Sequence, residues 1–203
     1  MAKERADAAR NRRAILAATE RLLAAHRPQD ISMEQVAAES GVAKGTVFHR
    51  FGNRSGLMLA LMVERAHALE DAVRTGPPPL GEGAPDRDRL LAFVDAIVDV
   101  VSRNKSLLAE LSRSGVTMPS SDEYHAEQEN PHAVYTFWHG HIGALLRAEN
   151  PAVDADTVAH VLLGSLHSDP VLVQLTAEGP DRLKIALRTM VTALLDAPPT
   201  SDA

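Results

Sequence analysis

Ser-Met-Glu-Gln-Val-Ala-Ala-Glu-Ser-Gly-Val-Ala-Lys-Gly-Thr-Val-Phe-His-Arg-Phe-Gly-Asn-Arg-Ser-Gly-Leu, residues 32–57, is the stretch whose reading decides the fold. Ser32 is a preferred N-cap, and Met33, Val36 and Ala37 follow at the i, i+3, i+4 spacing of one apolar helix face. Gly41 stands where the chain must turn, and a residue without Cβ takes the left-handed conformation there at little cost. Val42 reads as an apolar plug between two helices. From Ala43 to Phe51 a second short helix turns Val47 and Phe51 inward and leaves Lys44, Thr46, His49 and Arg50 outward. Two short helices joined by a glycine turn, followed by the start of a third at about Asn53, make a helix-turn-helix.

An outward lysine, threonine, histidine and arginine on a short helix suit the major groove of DNA, where cations meet phosphates and polar groups reach base edges. Gly45 lets the backbone at the helix start approach phosphate closely, and the N–H groups there add favourable partial charge. A glycine turn also occurs between helices of any all-α protein; here cap, turn, plug and basic outer face coincide. Charge agrees. The chain of 203 residues carries a formal net charge of -6, but residues 1–56 hold ten Lys and Arg against six Asp and Glu. The remaining residues hold eleven against twenty-one, so a basic head precedes an acidic body, and phosphate attraction is confined to one end. Arg10, Arg12 and Arg13 lie in an N-terminal arm that either reaches phosphates or the minor groove or is a solvated charge run.

At this point the chain resembles the TetR family of bacterial transcriptional regulators. The resemblance rests on Arg13-Ala-Ile-Leu-Ala-Ala18, Ile31-Ser32-Met33, Val36-Ala37, Gly41-Val-Ala-Lys-Gly-Thr-Val-Phe48 and Phe51-Gly-Asn-Arg54, and it is sharp over residues 10–60. Three positions depart from the usual pattern: Phe48 replaces a tyrosine whose hydroxyl contacts phosphate, Arg50 replaces a histidine, and Arg54 replaces a lysine. Arg50 adds a five-donor fork and Arg54 keeps its charge, so phosphate affinity is expected to survive. The usual acidic residue after that lysine is Ser55, which leaves capping of the next helix to Asn53. The DNA-contacting set read from the head is Arg10, Arg13, Ser32, Lys44, Gly45, Thr46, Phe48, His49, Arg50 and Arg54. The resemblance further implies an all-α fold of about nine helices, divided into a helix-turn-helix domain at 1–56 and a ligand-binding and dimerisation domain at 57–203. It also implies a cytoplasmic homodimer on a palindromic operator in double-stranded DNA, acting as a repressor released by a small-molecule effector.

Beyond the head, helix periodicity predicts segments at about 53–74, 86–103, 104–114, from near Tyr124 or Pro131 to 148, 154–178 and 181–196. Gly76 to Pro85 breaks the first of these from the second, and Asn150-Pro151 ends the fourth. The last two are apolar on more than one face, which a monomer would expose. Val158, Val161, Leu162, Leu166, Leu183, Leu187, Met190, Val191 and Leu194 are the expected homodimer contacts, the alternative being a core pair within one chain. Aromatic residues number only seven, and Tyr124, Tyr135, Phe137 and Trp138 fall within or just before the helix at 131–148. That cluster reads either as a pocket wall for a flat or apolar effector or as core packing. Phe93, Tyr135 and Trp138, with Leu107, Leu111, Met118, His141 and Leu163, are the expected lining.

Other classes find less support. His139 with His141, and His160 with His167, lack the i, i+3 or i+4 spacing of a helical metal pair, so no metal or other cofactor is expected. There is no Gly-x-Ser-x-Gly elbow, no His-Glu-x-x-His and no cysteine, which leaves a helical metal-dependent or lid-type hydrolase without a recognisable catalytic set. A regulator that has lost its ligand response is the nearer alternative. The absence of cysteine suits a reducing compartment. The sequence offers neither a signal-peptide core nor an apolar run of the roughly 20 residues a membrane span needs.

Overall fold

In a computed structural model of the chain, residues 2–113, 131–166 and 168–198 are described, and among them every regular element is helical. The order is α1 (Ala2–Ala25), a 3-10 turn (Pro28–Asp30), α2 (Met33–Ser40), α3 (Lys44–Phe51), α4 (Arg54–Thr75), α5 (Asp86–Arg113), α6 (Pro131–Glu149), α7 (Ala155–Ser165), α8 (Asp169–Glu178) and α9 (Asp181–Leu195). The chain divides into two compact units, and the division falls inside two helices. One unit contains the chain up to Glu64 with the end of α5 from Ser106; the other contains Arg65–Lys105 and α6–α9.

The first unit closes around Ile15 and Leu16 of α1, Val36 and Ala37 of α2, Val47 and Phe51 of α3, Leu57, Met58 and Leu61 of α4, and Leu107 of α5. The 3–4 spacing of these residues on each helix turns one stripe inward, and the short α2 and α3 bury almost nothing else. Thr19 is fully buried, and its hydroxyl donates to the Ile15 carbonyl at 2.9 Å, so no polar atom of it is left unsatisfied.

In the second unit Phe93, Val94, Ile97, Val98 and Val101 of α5 form the inner face. The periodicity divides this stretch into helices at 86–103 and 104–114, but α5 continues as one helix. Its buried stripe passes straight through Asn104, whose Oδ1 accepts from Arg65 at 2.8 Å, while the same guanidinium donates to the Arg103 carbonyl at 2.9 Å. A satisfied buried amide costs the helix little. The opposite error occurs further on, where the single helix expected at 154–178 is two, α7 and α8. Pro170 lacks the N–H a continuing helix needs and its ring would strike the Leu166 carbonyl, so the chain restarts with Ser168 as N-cap and proline in the first turn. Fusion and splitting cancel, leaving nine α-helices among the described residues.

Two side chains pin helix ends. Asp154 accepts from the Thr157 N–H at 3.1 Å and caps α7. Asn150, buried just past α6, donates to the Leu194 and Ala197 carbonyls at 3.0 Å each and holds the C-terminal end of α9. None of the helices is long and apolar enough to cross a membrane among the described residues.

Candidate nucleic-acid interface

The entry to α2 is a complete capping box: Ser32 Oγ accepts from the Gln35 N–H at 3.1 Å, and the Gln35 side chain accepts from the Ser32 N–H at 2.7 Å. Ser32 thus spends its hydroxyl on the helix start. Gly41 ends α2 in the left-handed region with φ 68, as its place in the turn required. Two residues on, α3 begins, and it presents a face that the unit does not use. Lys44, Gly45, Phe48 and His49 are exposed, Thr46 and Arg50 are half-buried, and Val47 and Phe51 are buried beneath them.

Gly45 is the informative residue of that face. A Cβ built there meets no atom within 4 Å, and its φ is not in the left-handed region. Among the described residues, nothing sterically requires glycine at this position. Phe48 is a large apolar side chain at 36% exposure, and the Lys44 ammonium stands 5.6 Å above its ring. Lys44 also pairs with Glu34 of α2 at 2.7 Å, which holds the Glu34 carboxyl below its usual range.

The remaining basic residues divide. Arg13 is exposed and Arg10 is exposed beside Asp7, whereas Arg12 turns inward to Glu64 at 2.5 Å. Arg54 was expected at a phosphate. Instead its guanidinium donates to the Gln29 carbonyl at 2.7 Å and to the buried Glu110 at 2.5 Å, because α5 returns a carboxylate to the start of α4 that no local pattern announces. Asn53 Oδ1 accepts from the Gly56 N–H at 2.9 Å, the cap expected of it.

The residues read as effector lining separate into three groups. Leu107 and Leu111 are buried in the first unit. Phe93, Trp138, His141 and Leu163 lie in the second, where the His141 ring meets Phe93 edge-on at 4.6 Å and stacks with Phe137 at 6.0 Å. Trp138 Nε1 and His141 Nε2 are buried there without a hydrogen-bond partner, and burial, with Arg89 as a secondary influence, lowers the His141 pKa. Tyr135 lies apart from these, on the side of α6 that meets α7, beside His139 and His160. Met118 falls outside the described residues, as do Tyr124 and His125.

The residues read as dimer contacts separate in the same way. Leu162, Leu166, Leu183, Leu187 and Val191 are buried within the second unit, since α9 turns the i, i+4 stripe of Leu183, Leu187, Val191 and Leu195 inward. Val158 and Leu194 are half-buried, and Val161 and Met190 are exposed. Ile185, exposed on α9 at 66%, belongs with the last two and was not singled out, although its offset from the buried stripe marks it.

Residues 15–61 match the family described as bacterial regulatory proteins, tetR family, a match confined to the N-terminal part of the chain. Over 70 residues it is 34% identical to the HTH-type transcriptional regulator BetI of Cronobacter sakazakii (strain ATCC BAA-894), a match covering 34% of each chain. The chain thus spans about a third of that curated relative's length. The fatty acid degradation regulator FadR of Bacillus halodurans superposes with a TM-score of 0.58 at 18% identity, covering 94% of this chain and 97% of that one. A protein from Rhodococcus sp. described as a TetR-family transcriptional regulator gives 0.63 at 17%, covering 93% and 100%. The TetR family repressor AlkX from Dietzia sp. gives 0.55 at 18%, covering 95% and 99%. At these identities the solved structures establish the fold.

Proposed function

We propose that this chain is a sequence-specific DNA-binding transcription regulator, a repressor released from a palindromic operator by a small-molecule effector. The observation that carries the reading is the outer face of α3, where an exposed phenylalanine, histidine and lysine surround a glycine that the fold does not need. Lys44, Thr46, Phe48, His49 and Arg50 dock in the major groove, with the Gly45 backbone against phosphate and Arg10 and Arg13 on the flanking backbone. Ser32 stands at the N-terminus of α2 and offers that end to a phosphate. The functional division into a reading domain at 1–56 and an effector and dimer domain at 57–203 belongs to the same proposal.

Trp138 and His141 support an effector site in the second unit, because buried polar nitrogens without partners are costly and a ligand's hydrogen-bonding atoms relieve them. The effector is therefore an apolar molecule with at least one hydrogen-bonding atom, packed against Phe93 and Leu163. Val161, Ile185 and Met190 support a second copy of the chain as the cover for α7 and α9. Release follows if the effector prefers the conformation that does not fit the operator, and α4, unbroken from Arg54 to Thr75, is the element that transmits it.

Selection of bound sequences from random duplex by the full-length protein tests the reading. Recovery of a two-fold symmetric site is the expected result. Failure to retain any duplex over heparin at moderate ionic strength would overturn it.

A further inference from the structure

We propose that His139, Asp156 and His160 form a binding site for a divalent transition cation of the zinc and nickel kind, held between α6 and α7. The inference is independent of DNA binding and uses none of the residues assigned to it.

The site is assembled by packing. His139 comes from α6, while Asp156 and His160 stand four residues apart on α7, a spacing that places two side chains on one helix face. One ligand atom from each of the three lies within 4.8 Å of the other two. His139 Nε2 is 3.5 Å from one Asp156 carboxylate oxygen, and His160 Nε2 is 3.8 Å from the other. Around a tetrahedral zinc with bonds of about 2.0–2.2 Å, neighbouring ligand atoms stand about 3.3–3.6 Å apart. Closing from the observed separations takes small rotations of Asp156 and His160, both exposed, against His139, which is mostly covered. His139 Nε2 also lies 3.2 Å from the Asp156 carbonyl oxygen, a contact that a bound ion would replace.

The surroundings already orient one ligand. Tyr135 Oη is 2.5 Å from His160 Nδ1, and the Tyr135 ring stacks at 5.9 Å on both His139 and His160. A hydrogen bond at Nδ1 directs Nε2 toward the carboxylate, which is the arrangement that outer partners give to metal-bound histidines. Two imidazoles and one carboxylate suit zinc, nickel, cobalt and copper; calcium and magnesium, which take oxygen ligands, do not fit this donor set. Three protein ligands at an exposed position leave the remaining coordination to water.

The experiment uses full-length protein without a histidine tag, stripped with a chelator and titrated calorimetrically with zinc chloride and with nickel chloride. One ion per chain is expected, with a rise in thermal midpoint because the ion ties α6 to α7. H139A and H160A should abolish stoichiometric uptake, D156N should weaken it, and Y135F should weaken it about 10-fold by loosening His160. Asp156 is exposed and D156N leaves helix packing alone, so this arm stands even if a histidine variant folds poorly. Magnesium and calcium should not compete. Absence of stoichiometric zinc uptake by the folded protein, or uptake unchanged in an H139A/H160A double variant or in D156N, would overturn the proposal.

Discussion

Arg54, in the first turn of α4, donates to the carboxylate of Glu110 near the end of α5 at 2.5 Å, and the carboxylate is buried while the guanidinium is partly exposed. Fifty-six residues separate the two in the chain. Replacing Arg54 with alanine leaves a buried carboxylate without this cation, and a loss of about 1–3 kcal/mol is expected, less than for a fully buried pair because the guanidinium end meets water. Urea unfolding measures it. Since the guanidinium is committed inward, the slope of log affinity against log salt should not change; a shallower slope would return Arg54 to the phosphate contacts.

Lys44 and Glu34 make the opposite prediction. Their contact is exposed, and Lys44 must leave Glu34 to reach phosphate. Lys44→Ala should lower DNA affinity on every sequence and reduce the salt slope by about 1, whereas Glu34→Gln should raise affinity by releasing the lysine. Anisotropy titrations at several salt concentrations measure both. The ion pair also contributes stability that is present above the ordinary carboxylate pKa and is lost as the pH falls through the lowered value in the folded state.

Gly45→Ala separates folding from recognition. The space around this position is open, so the variant should fold normally and gain up to about 1 kcal/mol from helix propensity. Its operator affinity should fall, because the added methyl group keeps the backbone from the phosphates. Unchanged binding with raised stability would remove Gly45 from the interface.

His141 gives a pH prediction. Burial lowers its pKa in the folded state, so the unfolded chain binds the proton more readily. Stability is therefore complete above the ordinary histidine pKa and declines as the pH falls from there toward the lower folded value. His141→Leu should flatten that part of the profile, as followed by denaturant midpoints across a pH series.

The exposed apolar residues of α7 and α9 predict the oligomeric state. Ile185→Asp combined with Met190→Asp should give a monomer by sedimentation with unchanged helix content, since neither side chain lies in the core. Loss of operator binding should accompany it. A double variant that remains dimeric places the interface elsewhere.

The head was legible because its signals are local. A cap and its reciprocal glutamine lie three residues apart, the left-handed glycine sits at the turn itself, and the inward residues of α3 are one helical turn apart, so each could be read without knowing what packs where. The all-helical class was equally legible from periodicity. Helix boundaries in the body were not, because the division expected at 103/104 falls where Arg65, distant in the chain, satisfies the Arg103 carbonyl and the Asn104 side chain, and Pro170 lies within a long apolar pattern that reads as one helix.

Sequence alone therefore determined the helix-turn-helix, the basic head and the helical body, all of which follow from spacings shorter than two turns of helix. Tertiary structure decided that Arg54 serves Glu110, that Tyr135 keeps company with His139 and His160 instead of Trp138, and that most of the expected dimer leucines are interior. The physical reason is that partner and burial depend on elements distant in the chain. Helical period states which residues share a face, and only packing states which of two apolar faces is covered.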